Sequence, residues 1–386
     1  MDKKVGIVSY GITPYRGLNE IGMWNDEASF GVSKEAIERV GIERKDIDAV
    51  VISTMDGLDG ITISNGLLAP AAGALKKDSI RIENSGIHCV ISGVAAILSG
   101  SADLVMVASS DTIELDFEYV TNSNQDQFFR GPVGFNATQS YGLLSMDYLR
   151  RSVATEEDFA LAAAKNYQCG SSNPFAHTKK SYSTEEVLAS NHVSWPLREL
   201  EIGRLSNGAG AILLASEEKA RELTDHPVWI TGIAAATNSY LGSWKELAGM
   251  PALKKAAQKA YQMAGIKNPR QELDFMEIFN PFSPFELIAC EALGICGEGE
   301  GHRLLKDGVT SAGGDLPVNL SGGSLCTNGP NSSGIFRIIQ SLLQFNKEGE
   351  GLKVGDPRVG LVHDGDMGIG AVGGDSQAIM ILEREA

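Results

Sequence analysis

Apolar and polar positions along the first 110 residues fall into blocks that read as strand, helix, strand. Val5-Gly-Ile-Val-Ser9 has the β-branched density of a strand, and Asp48-Ala-Val-Val-Ile52 is apolar enough to be buried on both faces. Between them, Ser33-Lys-Glu-Ala-Ile-Glu-Arg-Val40 places Ala36, Ile37 and Val40 on one helical face, and Gly41 closes that helix. Ile61 to Leu75, rich in Gly, Ala and Leu, predicts a further helix. The rest is organised around Arg81 to Gly100. A strand end, Ser79-Ile-Arg-Ile82, passes through the polar turn Glu83-Asn-Ser-Gly86 into a small apolar helix whose spacing begins near His88-Cys89. Gly100-Ser-Ala-Asp103 ends it before the strand Leu104-Val-Met-Val-Ala108. The alternation predicts an α/β fold with a mostly parallel sheet and helices on its faces.

From about Asp111 to Asn207 the chain turns polar and aromatic, with helical pieces at Ser145–Arg151, Glu156–Asn166 and Thr184–Ala189. Few strand signals occur there, which predicts an insertion over one end of the sheet. Asn207-Gly-Ala-Gly-Ala-Ile-Leu-Leu-Ala215 returns to a small apolar strand, and from Val228 the alternation restarts. Here an internal repeat shows. Glu35 to Ile52 and Lys259 to Ile278 are each a helix, a Gly-Ile cap, a polar loop, an Asp and a strand. Ile80-Arg-Ile-Glu-Asn-Ser-Gly86 is echoed by Pro317-Val-Asn-Leu-Ser-Gly-Gly323 before the helix Ser332–Leu343, and Leu104–Ser109 by Val359–Val362. The expected organisation is a first half over 1–110, a loop domain over 111–207, a last strand and linker over 208–227, and a second half over 228–386. Two copies related by a pseudo-two-fold axis bring their Gly-rich turns together at the strand C-terminal ends, where such sheets bind ligands.

Composition narrows the partners. The 386 residues are 43% hydrophobic and 21% charged, ordinary for a soluble protein, and a net charge of -16 disfavours nucleic acid. No apolar run approaches a membrane span, and Met1-Asp-Lys-Lys-Val lacks the apolar region of a signal peptide. Five scattered cysteines without paired C-x-x-C spacing predict a reducing cytoplasm, no disulfide framework and no metal site.

A thiol at the positive end of a buried helix has a lowered pKa, and Cys89 lies near such a point with His88 beside it. The alternative is a core cysteine on an apolar helix. Cys290 and Cys296 read as core, Cys169 as a loop residue, and Cys326 as a residue that touches substrate or packs. His177, with Lys179 and Lys180, meets phosphates or belongs to a solvated loop. Phe279, Phe282 and Phe285 line an aromatic pocket or pack under the sheet.

Over nearly its whole length the chain resembles the thiolase superfamily, and most of all its sterol-carrier and archaeal-type branch. The likeness is carried by ordered matches: Tyr148-Leu-Arg-Arg, Ala154-Thr-Glu-Glu-Asp-Phe-Ala160, Lys165-Asn166, Asn173-Pro-Phe-Ala176 and Ser183-Thr-Glu-Glu-Val-Leu-Ala-Ser190. Trp195-Pro-Leu-Arg198, Ser206-Asn-Gly-Ala-Gly-Ala211, Glu277-Ile-Phe-Asn-Pro-Phe282, Asn319-Leu-Ser-Gly-Gly323 and His363-Asp-Gly-Asp-Met-Gly368 continue them. The resemblance implies a duplicated five-layered α-β-α-β-α thiolase fold with a loop domain.

It also implies an acyl-CoA enzyme in which a cysteine thiolate takes the acyl group, a histidine activates it, a second base removes a proton and several donors hold the oxyanions. Carried onto this chain, the catalytic set is Cys89, His363, Asn328 and Asn280. Ser321, Gly322, Gly323, Phe282, His88 and Cys326 stand near the substrate, and His363 is expected to be the base with a pKa near neutrality. Coenzyme A and its acyl thioester enter as substrate, with no permanently bound cofactor.

The sequence departs from the pattern in three loops. Phe279-Asn280-Pro281-Phe282 replaces the histidine or asparagine loop, and Thr327-Asn328-Gly329-Pro330 lacks the histidine of Gly-His-Pro. Gly86 or Glu83 falls at the cysteine position, depending on the direction of alignment, with Cys89 several residues late. Three functions follow: a thiolase-type acyl-CoA C-acyltransferase working through Cys89, a cysteine-independent aldol-lyase on a 3-hydroxyacyl-CoA, or a degenerate subunit of a heteromeric complex. The first is the leading expectation. The resemblance further implies a homodimer in which Leu104–Ser109 pairs with its own copy. A small zinc-ribbon and OB-fold accessory subunit is implied as well, as for the large subunits of heteromeric thiolases such as benzoylsuccinyl-CoA thiolase.

Overall fold

The computed structural model describes residues 4–18, 20, 22–60, 62–115, 120, 122, 128, 131–238, 247–365 and 376–385. Its strands are β1 (Val5–Ile12), β2 (Ala49–Ser53), β3 (Asp78–Ile82), β4 (Leu104–Asp111), the small hairpin β5 (His192–Ser194) and β6 (Leu197–Arg198), β7 (Gly208–Ser216), β8 (Val228–Thr237), β9 (Phe275–Glu277), β10 (Val359–Gly365) and β11 (Ser376–Arg384). Among the described residues, nine of them run as β3-β2-β4-β7-β1-β8-β11-β10-β9.

That order contains the repeat. In the first half β3, β2 and β4 are parallel, and β7 and β1 follow antiparallel. In the second, Val318 bridges β9 in parallel, β9 pairs β10 in parallel, and β11 and β8 follow antiparallel. The strand echoed at Pro317-Val-Asn is thus a single bridge to Met276 rather than a full strand. The halves meet edge to edge where β1 pairs β8 over only Gly6–Trp229 and Ile7–Val228.

Side-chain parity then builds the layers. Val105 and Val107 face a central core that also holds Val362, Ala378 and Met380 of the second half, whereas Leu104, Met106 and Ala108 face an outer core under the helix Asn25–Arg39. Two helices fill the centre, Gly86–Leu98 and Ser333–Phe345. Each touches strands of both halves and the other helix. Helix Pro251–Ala264 covers β8 and β11 from outside. Helix–sheet–helix–sheet–helix is the expected five-layered fold.

Several local expectations change. The helix expected over Ile61–Leu75 is confined to Asn65–Ala71, since Pro70 lies in its last turn and Gly73 takes a φ of 112°. Cys169 is inside the helix Glu156–Ser171, not in a loop. β4 cannot pair across a two-fold axis, because β2 and β7 already occupy both of its edges. Among the described residues the free edge of the first half is β3, with Ile80 44% exposed.

Candidate active site

The two central helices begin face to face. Gly86, the first residue of one, packs so closely on the other that a Cβ there would stand 2.7 Å from Ile335 N and 3.0 Å from Gly334 C. A Cβ on Gly334 would in turn reach the Asp364 carboxylate and lie 2.8 Å from Gly86 N. Only glycine permits this backbone approach. Around it lie Asp364, against Gly334, the linked Ser85, His88 and Ser376, and Asp111 with Asn331 and Ser332 just before the second helix.

The helix starts at Gly86, so Cys89 lies a full turn inside it. The thiol is completely buried, bonded to Ser53 and packed in the central core, and burial pushes its pKa up to about 12. The sequence-based expectation of an activated thiolate is corrected here: burial opposes the charge that a helix terminus would have favoured.

His88 is only half-buried. Its Nδ1 lies 2.9 Å from Ser85 Oγ and its Nε2 3.0 Å from Ser376 Oγ, so the ring links the two halves. Ser85 occupies the N-cap, yet its hydroxyl makes no cap hydrogen bond. Burial lowers the His88 pKa, with the Asp364 carboxylate acting the other way.

Strand parity sends His363 and Asp364 to opposite faces of β10. Asp364 faces the centre, ion-paired with the buried Arg337, which also donates from Nε to His363 O at 3.0 Å and from Nη1 to Ser324 Oγ at 3.0 Å. The second carboxylate oxygen of Asp364, Oδ2, has no hydrogen-bond partner among the described residues. The His363 ring faces away, stacked on Phe285 with centroids 5.9 Å apart and bonded through Nε2 to Gln377 Oε1 at 2.7 Å. Complete burial pulls its pKa down to about 3, so it is not the near-neutral base expected from sequence. Residues 366–368 of its motif lie outside the described residues.

Gly329 occupies the place where the thiolase pattern has a histidine, and the structure fills that space otherwise. A Cβ there would meet Asp111 Oδ2 and Ser332 Oγ, each at 2.5 Å, and Tyr15 Cε1 at 3.1 Å. Asp111, at the end of β4, accepts the Asn331 and Ser332 N–H groups at 2.9 Å each and the Ser332 hydroxyl. Tyr15 Oη lies 2.7 Å from Ser332 Oγ. Burial raises the Asp111 pKa to about 7 and that of neighbouring Asp59 to about 6. Asp59 receives Asn25 Nδ2 at 3.0 Å and Asn331 Nδ2 at 3.3 Å, and both Asn25 and Asp59 line a cleft of about 750 Å³.

The remaining expected residues are held by neighbours of their own. Asn280 is fully buried, donating to Asn166 Oδ1 at 3.2 Å and accepting Ser324 N at 2.8 Å. Asn328 donates to Gly203 O at 3.5 Å. Ser321 is held by the buried Glu277, whose carboxyl burial raises to about 7. Gly322 and Gly323 turn the chain at φ 94° and 59°. Phe282 stacks on Tyr141 at 4.5 Å and is completely buried. Cys326 is buried with Sγ 3.5 Å from Asn166 O, and burial raises its pKa. His177 is tied to Ser206 Oγ at 2.9 Å. Among the described residues, no group of three or more His, Cys, Asp or Glu side chains is placed to hold a metal, and no helix is long and apolar enough to cross a membrane.

Sequence reasoning missed Ser376, Asp111, Tyr15 and Ser332. Asp111 had a signal, a carboxylate ending an otherwise apolar strand. Ser376 had none.

Residues 234–384 match the family described as thiolase C-terminal domain-like. An acetyl-CoA acetyltransferase of Methanothermobacter thermautotrophicus is 31% identical over 360 residues, covering 90% of this chain and 92% of that protein. The benzoylsuccinyl-CoA thiolase subunit BbsB of Thauera aromatica is 26% identical over 94% of both chains. A solved Ltp2-ChsH2(DUF35) aldolase superposes with a TM-score of 0.82 at 22% identity, over 98% of this chain and 97% of that one. With a duplicated five-layered fold and a full-length relative above 30% identity, the chain belongs to the thiolase superfamily.

Proposed function

We propose that this chain makes or breaks a carbon–carbon bond next to an acyl-CoA thioester by aldol chemistry, without an acyl-cysteine. The observation that carries this reading is Cys89, fully buried one turn inside its helix with its pKa raised to about 12. In the cleavage direction a base takes the 3-hydroxyl proton of a 3-hydroxyacyl-CoA. The bond between the second and third carbons breaks, a carbonyl compound leaves, and the electron pair passes to the thioester as an enolate. A proton on the second carbon completes the acyl-CoA. None of these steps needs a thiolate.

The aldolase named in the solved structure with the same fold supports this reading. The second reading, a thiolytic acyltransferase, is favoured by the acetyltransferase relative and requires the thiol to reach substrate. Incubation with acyl-CoA followed by mass spectrometry separates them. Release of a carbonyl product from 3-hydroxyacyl-CoA with no covalent adduct is expected; an acyl group mapped to Cys89 would establish the thiolytic route instead.

Assembly belongs to the same reading. The free β3 edge supports a homodimer formed by that strand and its copy. BbsB is named as a subunit and the aldolase structure names two components, which supports an accessory subunit here.

A further inference from the structure

The geometry points to His88, held by Ser85 from its own turn and by Ser376 from the opposite half, as the base that moves the proton on the carbon next to the thioester. This assignment rests on the proposed acyl-CoA chemistry but not on the aldol outcome, because any carbon–carbon bond formation at that carbon passes through the same enolate.

Three observations support it. First, both ring nitrogens are engaged by hydroxyls, at 2.9 and 3.0 Å. A neutral imidazole can satisfy that arrangement only by donating to one serine and accepting from the other. The accepting nitrogen carries the lone pair that a base needs, and a small rotation of that serine hydroxyl uncovers it. The opposite hydroxyl then takes the hydrogen bond of the imidazolium. A base oriented by a third group is the arrangement that proton transfer requires.

Second, Ser85 sits at an N-cap, where a serine hydroxyl ordinarily accepts a backbone N–H of the first turn. It makes no such bond here and is directed to the ring instead. Third, the positions at which the thiolase pattern offers a base or thiol are closed. His363 is fully buried against Phe285, Cys89 is fully buried, and Gly329 leaves no imidazole where the thiolase pattern has one. His88 is half-buried and stands at the strand ends where the two halves meet.

In the step itself the C–H bond breaks, its proton forms an N–H bond on His88, and the electron pair moves onto the thioester oxygen as an enolate. Return of a solvent-derived proton from the ring regenerates the acyl-CoA. In heavy water the cycle exchanges deuterium into the acyl group without a second substrate.

The test is deuterium uptake into acetyl-CoA, followed by proton NMR on the full-length protein. Wild type is expected to exchange, and His88→Ala to lose about 10²-fold or more of that rate. Added imidazole is expected to restore part of it, which a structural role would not allow. Ser376→Ala is expected to lower the exchange rate without changing KM for acetyl-CoA, and Ser376→Thr to recover it. Should His88→Ala fail to fold by circular dichroism, the Ser376 pair decides. Wild-type exchange in His88→Ala or an undiminished rate in Ser376→Ala overturns the assignment, as does absence of exchange in the wild type. Exchange in the wild type with no cleavage of any 3-hydroxyacyl-CoA overturns the aldol reading and leaves His88 in place.

Discussion

Asp111, the last residue of β4 in the first half, accepts the backbone N–H of Ser332 from the second half at 2.9 Å. A strand end of one repeat thereby caps the central helix of the other, and the interaction of the carboxylate with that helix terminus is favourable. Replacing Asp111 with Ala leaves the Asn331 and Ser332 N–H groups without this acceptor in a buried setting. A loss of about 1–3 kcal/mol in unfolding free energy is expected, measured by chemical denaturation.

The facing glycines make a sharper demand. Gly334→Ala places a methyl group against the Asp364 carboxylate and 2.8 Å from Gly86 N, where two backbones and a buried ion pair leave nowhere to move. Overpacking of about 1–3 kcal/mol is expected. The variant should melt below wild type, whereas Gly355→Ala, where a Cβ meets nothing within 4 Å, should not.

His363 predicts a direction of pH dependence. Its folded pKa of about 3 lies below the usual 6.5, so between those values the unfolded chain binds more protons than the folded one. Stability from this residue is therefore present above about pH 6.5 and lost as pH falls toward 3. Replacing His363 with Gln removes that contribution. The stability difference between wild type and variant should shift in the variant's favour as pH is lowered from 7 to 4, read as denaturation midpoints at each pH.

For the buried thiol, the proposed chemistry predicts that Cys89→Ala keeps carbon–carbon cleavage within a few-fold of wild type. A stability loss of about 1 kcal/mol, set by the small cavity, is expected from the same variant. Abolished turnover in a folded Cys89→Ala protein would restore the acyl-cysteine mechanism.

The edge strand carries the assembly prediction. Ile80 is 44% exposed on β3, and a charge at this position blocks pairing with a second copy. Ile80→Lys is expected to shift the sedimentation coefficient from dimer to monomer without changing the circular dichroism spectrum.

The alternation of strand and helix, the Gly-Ile repeat and the two small apolar helices determined the duplicated fold, because burial on both faces and helical periodicity are local properties of a segment. Even the glycine turns at Gly86 and Gly322-Gly323 were legible as such. Which chemistry those turns carry was not. Cys89 and His88 are neighbours in sequence, yet one is sealed in the central core and the other reaches Ser376, 288 residues away. His363 and Asp364 part to opposite faces of one strand, and the ring's protonation follows from Phe285 and Gln377, which no spacing around it encodes. β4 is an inner strand because β7, about a hundred residues later, fills the side that its own half-sequence leaves open. Period and propensity act within a segment, whereas burial, pKa and hydrogen-bond partnership depend on whatever the rest of the chain brings alongside, and only the tertiary structure decides that.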